Sequence, residues 1–102
     1  MVFTGNLDTN VYAFDAVTGK QLWTYKTGGQ IHSTPIVYAN TLYFGSQDGS
    51  LYALNPVDGS LRWSIPTGNA ACDAPAAANG VVYFGSYDNV LRAVDRGTGA
   101  VL

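Results

Sequence analysis

The chain contains LYFGSQDGSLYAL at residues 42–54, two strand-like runs that flank a tight turn. Asp48-Gly49 in its centre is a strong hairpin signal, because glycine accepts the positive φ that such a turn demands. The same pattern recurs 40 residues away in both directions, and no gap is needed to align the copies. The residues in register are Gly5, Gly45 and Gly85; Asp8, Asp48 and Asp88; Ala13, Ala53 and Ala93; Gly19, Gly59 and Gly99; and Trp23 and Trp63.

Each repeat unit has the pattern of four short strands joined by tight turns, which is typical of a propeller blade. We therefore expect an all-β fold, a partial β-propeller of about two and a half four-stranded antiparallel blades, with about ten strands in all. Residues 1–32 are predicted to form an incomplete first blade (strands 2–4), 33–72 a complete blade and linker, and 73–102 an incomplete third blade (strands 1–3). Together they are expected to be one fragment of a larger propeller.

The composition excludes some classes of function. Charged residues make up 12% of the chain and the formal net charge is −2, so the basic surface that nucleic-acid binding needs is missing. Cys72 is the single cysteine, which rules out an intrachain disulfide. The chain shows no signal peptide and no segment suited to direct membrane insertion.

A second motif, A-x-D-x-x-T-G-K-x-x-W, spans residues 13–23. The carboxylate of Asp15 can accept backbone N–H groups two and three residues further on, and Thr18 can hydrogen-bond within the same loop. Gly19 supplies the left-handed residue that closes the hairpin. Ala13 is small enough for a large ring to lie over it, and Trp23 supplies that ring, with an N–H that needs an acceptor if it is buried.

This motif, together with Ser33-Thr34-Pro35, resembles the tryptophan-docking motif of the quinoprotein-type β-propellers, the pyrroloquinoline-quinone (PQQ)-like repeat family. In that family the tryptophan stacks between blades, and the resemblance implies this role for Trp23 and Trp63. The second copy departs from the pattern at three positions, and the third copy ends without its tryptophan. The docking residues expected on this basis are Ala13, Asp15, Thr18, Gly19, Trp23, Ala53, Asn55, Gly59, Trp63, Ala93, Asp95, Thr98 and Gly99.

The resemblance also implies a function. The chain is similar to outer-membrane assembly propeller lipoproteins and to quinoprotein dehydrogenase propellers. The expected function is a non-catalytic protein-interaction or scaffold module of the periplasm or cell envelope, whose partners are the other blades of its propeller, other copies of the chain or another protein. The alternatives are a fragment of a PQQ-dependent alcohol dehydrogenase, which would use PQQ with calcium, and an extracytoplasmic sensor propeller. Because the chain has no Glu and both tryptophans occupy docking positions, no cofactor is expected for this segment.

Three smaller features carry their own expectations. His32 and Cys72 share one repeat position with Asp73 beside it, which suggests either a soft-metal or redox site or two unrelated substitutions at a variable position. The recurrent aspartates at Asp8 and its counterparts are read as turn residues. Thr9 stands where Gly49 stands in the next unit, and because a β-branched residue disfavours positive φ, the first turn is expected to shift to Asn10.

Overall fold

The computed structural model describes residues 2–5, 8–31, 35–66, 75–85, 91–100 and 102. Within these residues the chain is built from ten short strands and contains no helix. The strands are β1 (Val2–Gly5), β2 (Asn10–Phe14), β3 (Gln21–Lys26), β4 (Ile36–Tyr38), β5 (Thr41–Ser46), β6 (Ser50–Leu54), β7 (Leu61–Pro66), β8 (Ala76–Ala78), β9 (Val81–Gly85) and β10 (Leu91–Asp95).

The strands form three separate antiparallel sheets in chain order. The first sheet has the order β1-β2-β3, the middle sheet β4-β5-β6-β7, and the third sheet β8-β9-β10. Neighbouring strands within a sheet are also neighbours in sequence, as expected where each pair is joined by a tight turn. The described residues thus form one four-stranded blade between two three-stranded ones, which confirms the predicted partial propeller.

The alternation of side chains in each strand produces two hydrophobic cores, one on each side of the middle sheet. Within β5, Leu42 and Phe44 lie in the core shared with the first sheet, whereas Tyr43 lies in the core shared with the third. All three side chains are fully buried. Because successive strand residues point to opposite faces, one strand can serve both interfaces. The blades are therefore held to one another chiefly by apolar contact between sheet faces.

The first hairpin turn differs from its prediction. Thr9 itself has a φ of 81°, close to the 90° of Gly49, so the turn does not shift to Asn10. Neighbouring hydrogen bonds fix this geometry: the Asp8 carboxylate accepts the N–H of Asn10 at 3.0 Å, and the Thr9 carbonyl accepts the N–H of Thr27 at 2.9 Å. The local bond to Asp8 and the tertiary bond from Thr27 together outweigh the preference of a β-branched residue.

The register shifts at the same place in the two equivalent strand pairs β2–β3 and β6–β7. Ala13 pairs with Trp23 and Ala53 with Trp63, and each pairing is followed by a one-residue irregularity. A small residue opposite each indole leaves the ring free to extend across the sheet face. The described part of the chain holds no helix of the length and hydrophobicity needed to cross a membrane.

Candidate functional site

The candidate site consists of the turn that precedes the last strand of a blade and the tryptophan that lies on it. In the first blade, Asp15 Oδ1 accepts the N–H groups of Val17 at 2.8 Å and Thr18 at 2.9 Å. These two backbone bonds, that of Thr18 foremost, hold the pKa of the carboxyl below its ordinary value. The N–H of Gly19 donates to the Asp15 carbonyl at 2.9 Å, and Gly19 has a φ of +72°. The predicted bonds from the carboxylate to the backbone are present.

The third blade repeats this turn atom for atom. Asp95 Oδ1 accepts the N–H groups of Gly97 at 2.8 Å and Thr98 at 3.2 Å, and the N–H of Gly99 donates to the Asp95 carbonyl at 2.8 Å. The Thr98 hydroxyl accepts the N–H of Ala100 at 3.3 Å. The Asp-x-x-Thr-Gly pattern therefore gives the same turn in both blades.

The second turn keeps the same shape with different side chains. Asn55 Oδ1 accepts the N–H of Val57 at 2.9 Å, and the N–H of Gly59 donates to the Asn55 carbonyl at 2.8 Å. Asp58 Oδ1 accepts both the N–H and the hydroxyl of Ser60, which lowers the pKa of Asp58. The three substitutions in this copy thus replace one set of local acceptors with another.

Each tryptophan lies on the turn of the following blade. Trp23 Nε1 donates to the Pro56 carbonyl at 3.0 Å, and Trp63 Nε1 donates to the Arg96 carbonyl at 2.9 Å. A Cβ built on Gly59 would lie 2.6 Å from the Trp23 ring, and one on Gly99 would lie 2.7 Å from the Trp63 ring. Both rings are partly buried. The indole thus covers a glycine that no larger residue could replace without movement of the ring.

Gly19 of the first blade differs from its two counterparts. Its φ of +72° matches the +75° of Gly59, yet apart from its chain neighbours no described atom lies within 4 Å of the position that a Cβ would take. The Trp23 ring therefore does not cover the Cβ position of Gly19 in its own unit. The turn at Gly19 has the same shape as the turns at Gly59 and Gly99, but no ring of the described residues covers it.

A second set of contacts between units involves Asp48. Its Oδ2 accepts the N–H of Gly28 at 3.0 Å and also the hydroxyl of Tyr52, while its Oδ1 accepts the N–H of Ser50 at 3.0 Å. Burial, followed by this carboxylate, raises the pKa of Tyr52. Asp48 thereby holds the segment that connects the first sheet to the middle sheet.

The sequence did not reveal the hydrogen-bond partners of the two indole N–H groups or of the Asp48 carboxylate. The acceptors of both indoles are main-chain carbonyls, at Pro56 and Arg96, and a carbonyl leaves no signature in the sequence. The Asp48–Tyr52 pair could have been found in the sequence, because Asp8 and Tyr12 recur at the same spacing in the first unit. In the structure the side chains of both pairs are hydrogen-bonded. The predicted metal or redox candidates, His32, Cys72 and Asp73, lie outside the described residues.

The described carboxylates do not converge on a common point. Asp8, Asp15, Asp48, Asp58 and Asp95 each accept hydrogen bonds from groups in or beside their own turns. In the part of the chain that the structure describes, no group of three or more His, Cys, Asp or Glu side chains could hold a metal ion. Both indole N–H groups are bonded to turn carbonyls. These residues do not fit a site for PQQ and calcium, which needs convergent carboxylates and a ring free to stack.

Comparison with known proteins gives the family. A family model described as outer membrane protein assembly factor BamB matches residues 7–102. The chain belongs to this family. Among curated proteins, the quinoprotein alcohol dehydrogenase PedE of Pseudomonas putida is 53% identical over 38 residues, which is 37% of this chain and 6% of that protein. The chain therefore matches only a small part of its curated relative.

Solved structures show the same fold. BamB from Moraxella catarrhalis superposes with a TM-score of 0.86 at 16% identity, covering 97% of this chain and 30% of that one. The quinohemoprotein alcohol dehydrogenase ADHIIG from Pseudomonas putida HK5 gives a TM-score of 0.88 at 24% identity, covering 97% of this chain and 18% of that one. At these identities the likeness establishes the fold alone.

Proposed function

We propose that the chain is a non-catalytic propeller segment that serves as a protein-interaction or scaffold module in the bacterial cell envelope. The family match over residues 7–102 to an outer membrane protein assembly factor supports this function and this location. The described polar groups support it as well, because their hydrogen bonds shape turns and join blades. The Asp15 carboxylate shapes its own turn, and the Asp48 carboxylate joins the connector after the first sheet to the middle blade.

The observation that carries the proposal is a pair of exposed valines at the same position of consecutive turns. Val17 is 93% exposed and Val57 is 65% exposed. Each valine sits at the tip of a turn whose backbone is fixed by hydrogen bonds, so its side chain is displayed on a rigid support. We take the two exposed valines, which hold equivalent positions in neighbouring blades, as contact points for a protein partner.

A photocrosslinking experiment tests the proposal. Val17 or Val57 is replaced by a benzophenone amino acid, and each variant chain is produced in the envelope of a bacterium. The matched control carries the same replacement at Thr24, an exposed residue of β3. We expect both turn positions to crosslink to one and the same protein, and the control position to do so far less. A crosslink at all three positions alike, or at none, would contradict the proposal.

The second candidate is a segment of a PQQ-dependent alcohol dehydrogenase. The 53% identity to PedE favours it, although that match covers only 38 residues. The two candidates differ in cofactor binding, which a titration of the chain with PQQ in the presence of calcium measures through tryptophan fluorescence. We expect no saturable change, because both indoles are already engaged by turns. Saturable binding would support the dehydrogenase instead.

A further inference from the structure

Asn79 and Gly80 form a pair of residues that is prone to a spontaneous covalent change. Where glycine follows asparagine or aspartate, its backbone nitrogen can reach the preceding side chain, because glycine has no Cβ to obstruct the approach. The chain has three such pairs: Asp48-Gly49, Asp58-Gly59 and Asn79-Gly80. Only the last carries an amide, which is displaced far more easily at neutral pH than an ionised carboxylate. The reactive pair is therefore Asn79-Gly80.

The reaction open to this pair is a deamidation, which consumes water and releases ammonia. The Gly80 nitrogen gives up its proton and attacks Cγ of Asn79. The bond between Cγ and Nδ2 then breaks, and Nδ2 leaves with that proton as ammonia. Water opens the resulting cyclic imide at either of its carbonyl carbons. The product is an aspartate or an isoaspartate, in which the main chain runs through Cγ, and either one places a negative charge where the neutral amide stood.

The fold leaves the pair sterically open. Asn79 and Gly80 make the two-residue turn between β8 and β9, with φ values of 54° and 79°, the left-handed geometry that Asn-Gly favours in a hairpin. Asn79 is exposed to solvent. Apart from chain neighbours, no described atom lies within 4 Å of the position that a Cβ on Gly80 would take. Water therefore reaches the turn, and packing around it does not prevent the reaction.

The restraint on the reaction comes from the neighbouring blade. The Gly80 N–H, whose proton must leave before the nitrogen attacks, donates to the Tyr38 hydroxyl at 2.9 Å. Tyr38 is the last residue of β4 in the middle sheet, and its side chain packs against the core shared by the middle and third sheets. A hydrogen-bonded N–H holds its proton more firmly and is fixed in direction, so this bond opposes the attack.

The glycines of the other two pairs are bonded locally. Gly49 donates its N–H to the Ser46 carbonyl at 3.2 Å, and Gly59 donates its N–H to the Asn55 carbonyl at 2.8 Å. Each acceptor is a main-chain carbonyl of the same turn as its glycine. Among the three pairs, only the restraint on Gly80 comes from a side chain of another blade.

We propose that Asn79 is a deamidation site held in check by the Tyr38 hydroxyl of the preceding blade. While the junction between the two blades is closed, the Gly80 N–H stays bonded and the amide persists; when the junction opens, the nitrogen is released and the reaction proceeds. An isoaspartate then lengthens the main chain by one carbon, in a turn whose Gly80 carbonyl accepts the N–H of Arg96 at 3.1 Å. The site is separate from the turn valines of the proposed function.

Peptide mapping by mass spectrometry, after incubation in mildly alkaline buffer, tests the restraint. We expect Asn79 to deamidate about tenfold or more slowly in the chain than in a peptide of residues 77–83, because the peptide has no neighbouring blade. Tyr38→Phe should raise the rate in the chain about fivefold, since it removes one hydrogen bond. Asp58→Asn supplies the matched control, because it creates a second Asn-Gly pair whose Gly59 N–H is bonded within its own turn. The rate at that pair should not respond to Tyr38→Phe.

Hydrogen exchange of the parent chain gives a second measurement that needs no variant. The Gly80 N–H should exchange about tenfold or more slowly than in the same peptide, because it is bonded to Tyr38. Exchange at the rate of the peptide would overturn the proposal. An Asn79 rate that Tyr38→Phe leaves unchanged would overturn it as well. So would an equal rise at Asn79 and at the control pair, since that result reports general unfolding and not the loss of one bond.

Discussion

Replacing turn glycines by alanine separates the contribution of the tryptophan from that of the backbone. Gly19 and Gly59 have nearly the same φ, +72° and +75°, but only Gly59 is covered by an indole. A left-handed alanine costs roughly 1–2 kcal/mol of stability at either position. At Gly59 the added methyl would also lie 2.6 Å from the Trp23 ring, and overpacking of this kind costs about 1–3 kcal/mol more.

We therefore expect Gly19→Ala to lower the free energy of unfolding by about 1–2 kcal/mol and Gly59→Ala by about 2–5 kcal/mol. The measurement is urea unfolding followed by far-ultraviolet circular dichroism, at a concentration where each variant is monomeric. The double-mutant cycle with Trp23→Ala completes the test, because the excess cost at Gly59 should vanish once the ring is gone. Equal costs at the two glycines, or an excess that persists without the ring, would refute the assignment of this contact.

Three further outcomes follow from the turns. Thr9→Gly should stabilise the chain by about 1 kcal/mol in thermal or urea unfolding, because it relieves a left-handed β-branched residue, and the reverse change Gly49→Thr should destabilise it. The pKa of Asp15 is lowered in the fold, so its contribution to stability is complete above the ordinary value of 3.8 and disappears as the pH falls through the lower folded value. Asp15→Asn should therefore flatten the acid limb of a stability–pH curve, because it lowers the stability near neutral pH and leaves the stability of the acid form nearly unchanged. An unaltered acid limb would disprove the link. Asp48→Ala should cost more stability than Asp8→Ala in the same assay, since among the described residues Asp48 accepts a glycine N–H from the preceding connector and Asp8 accepts none. Equal losses would remove the role assigned to that bond.

The strands and their order could be predicted because their signals are local. Asp48-Gly49 marks a hairpin in any context, and the alternation in residues 50–54 indicates a strand with one face toward each neighbour. The 40-residue period then gives the blade, since only stacking of such units buries their faces. The Asp15 turn was predictable for the same reason, because all of its bonds lie within six residues.

The contacts between blades could not be predicted in the same way. Trp23 was recognisable as a ring that needs an acceptor, but the acceptor is the carbonyl of Pro56, 33 residues further along, and any residue has a carbonyl there. The geometry at Thr9 depends on bonds from Asp8 and from Thr27, which lies in the connector after the sheet. The bond from Thr27 spans 18 residues and, with the local bond to Asp8, overrides the preference of the residue type, so the residue type alone gave the wrong turn.

The separation of each tryptophan from its turn has a consequence for how such chains grow. Trp23 and Gly59 are 36 residues apart, as are Trp63 and Gly99, so every junction is encoded half in one unit and half in the next. A duplication of any 40-residue stretch, whatever its starting point, copies one ring and one turn and so adds one complete junction. Substitutions that compensate each other should therefore arise in consecutive units and not within one. The unit that duplication copies in such proteins is therefore the junction between two blades, whose boundaries in the sequence differ from those of a single blade.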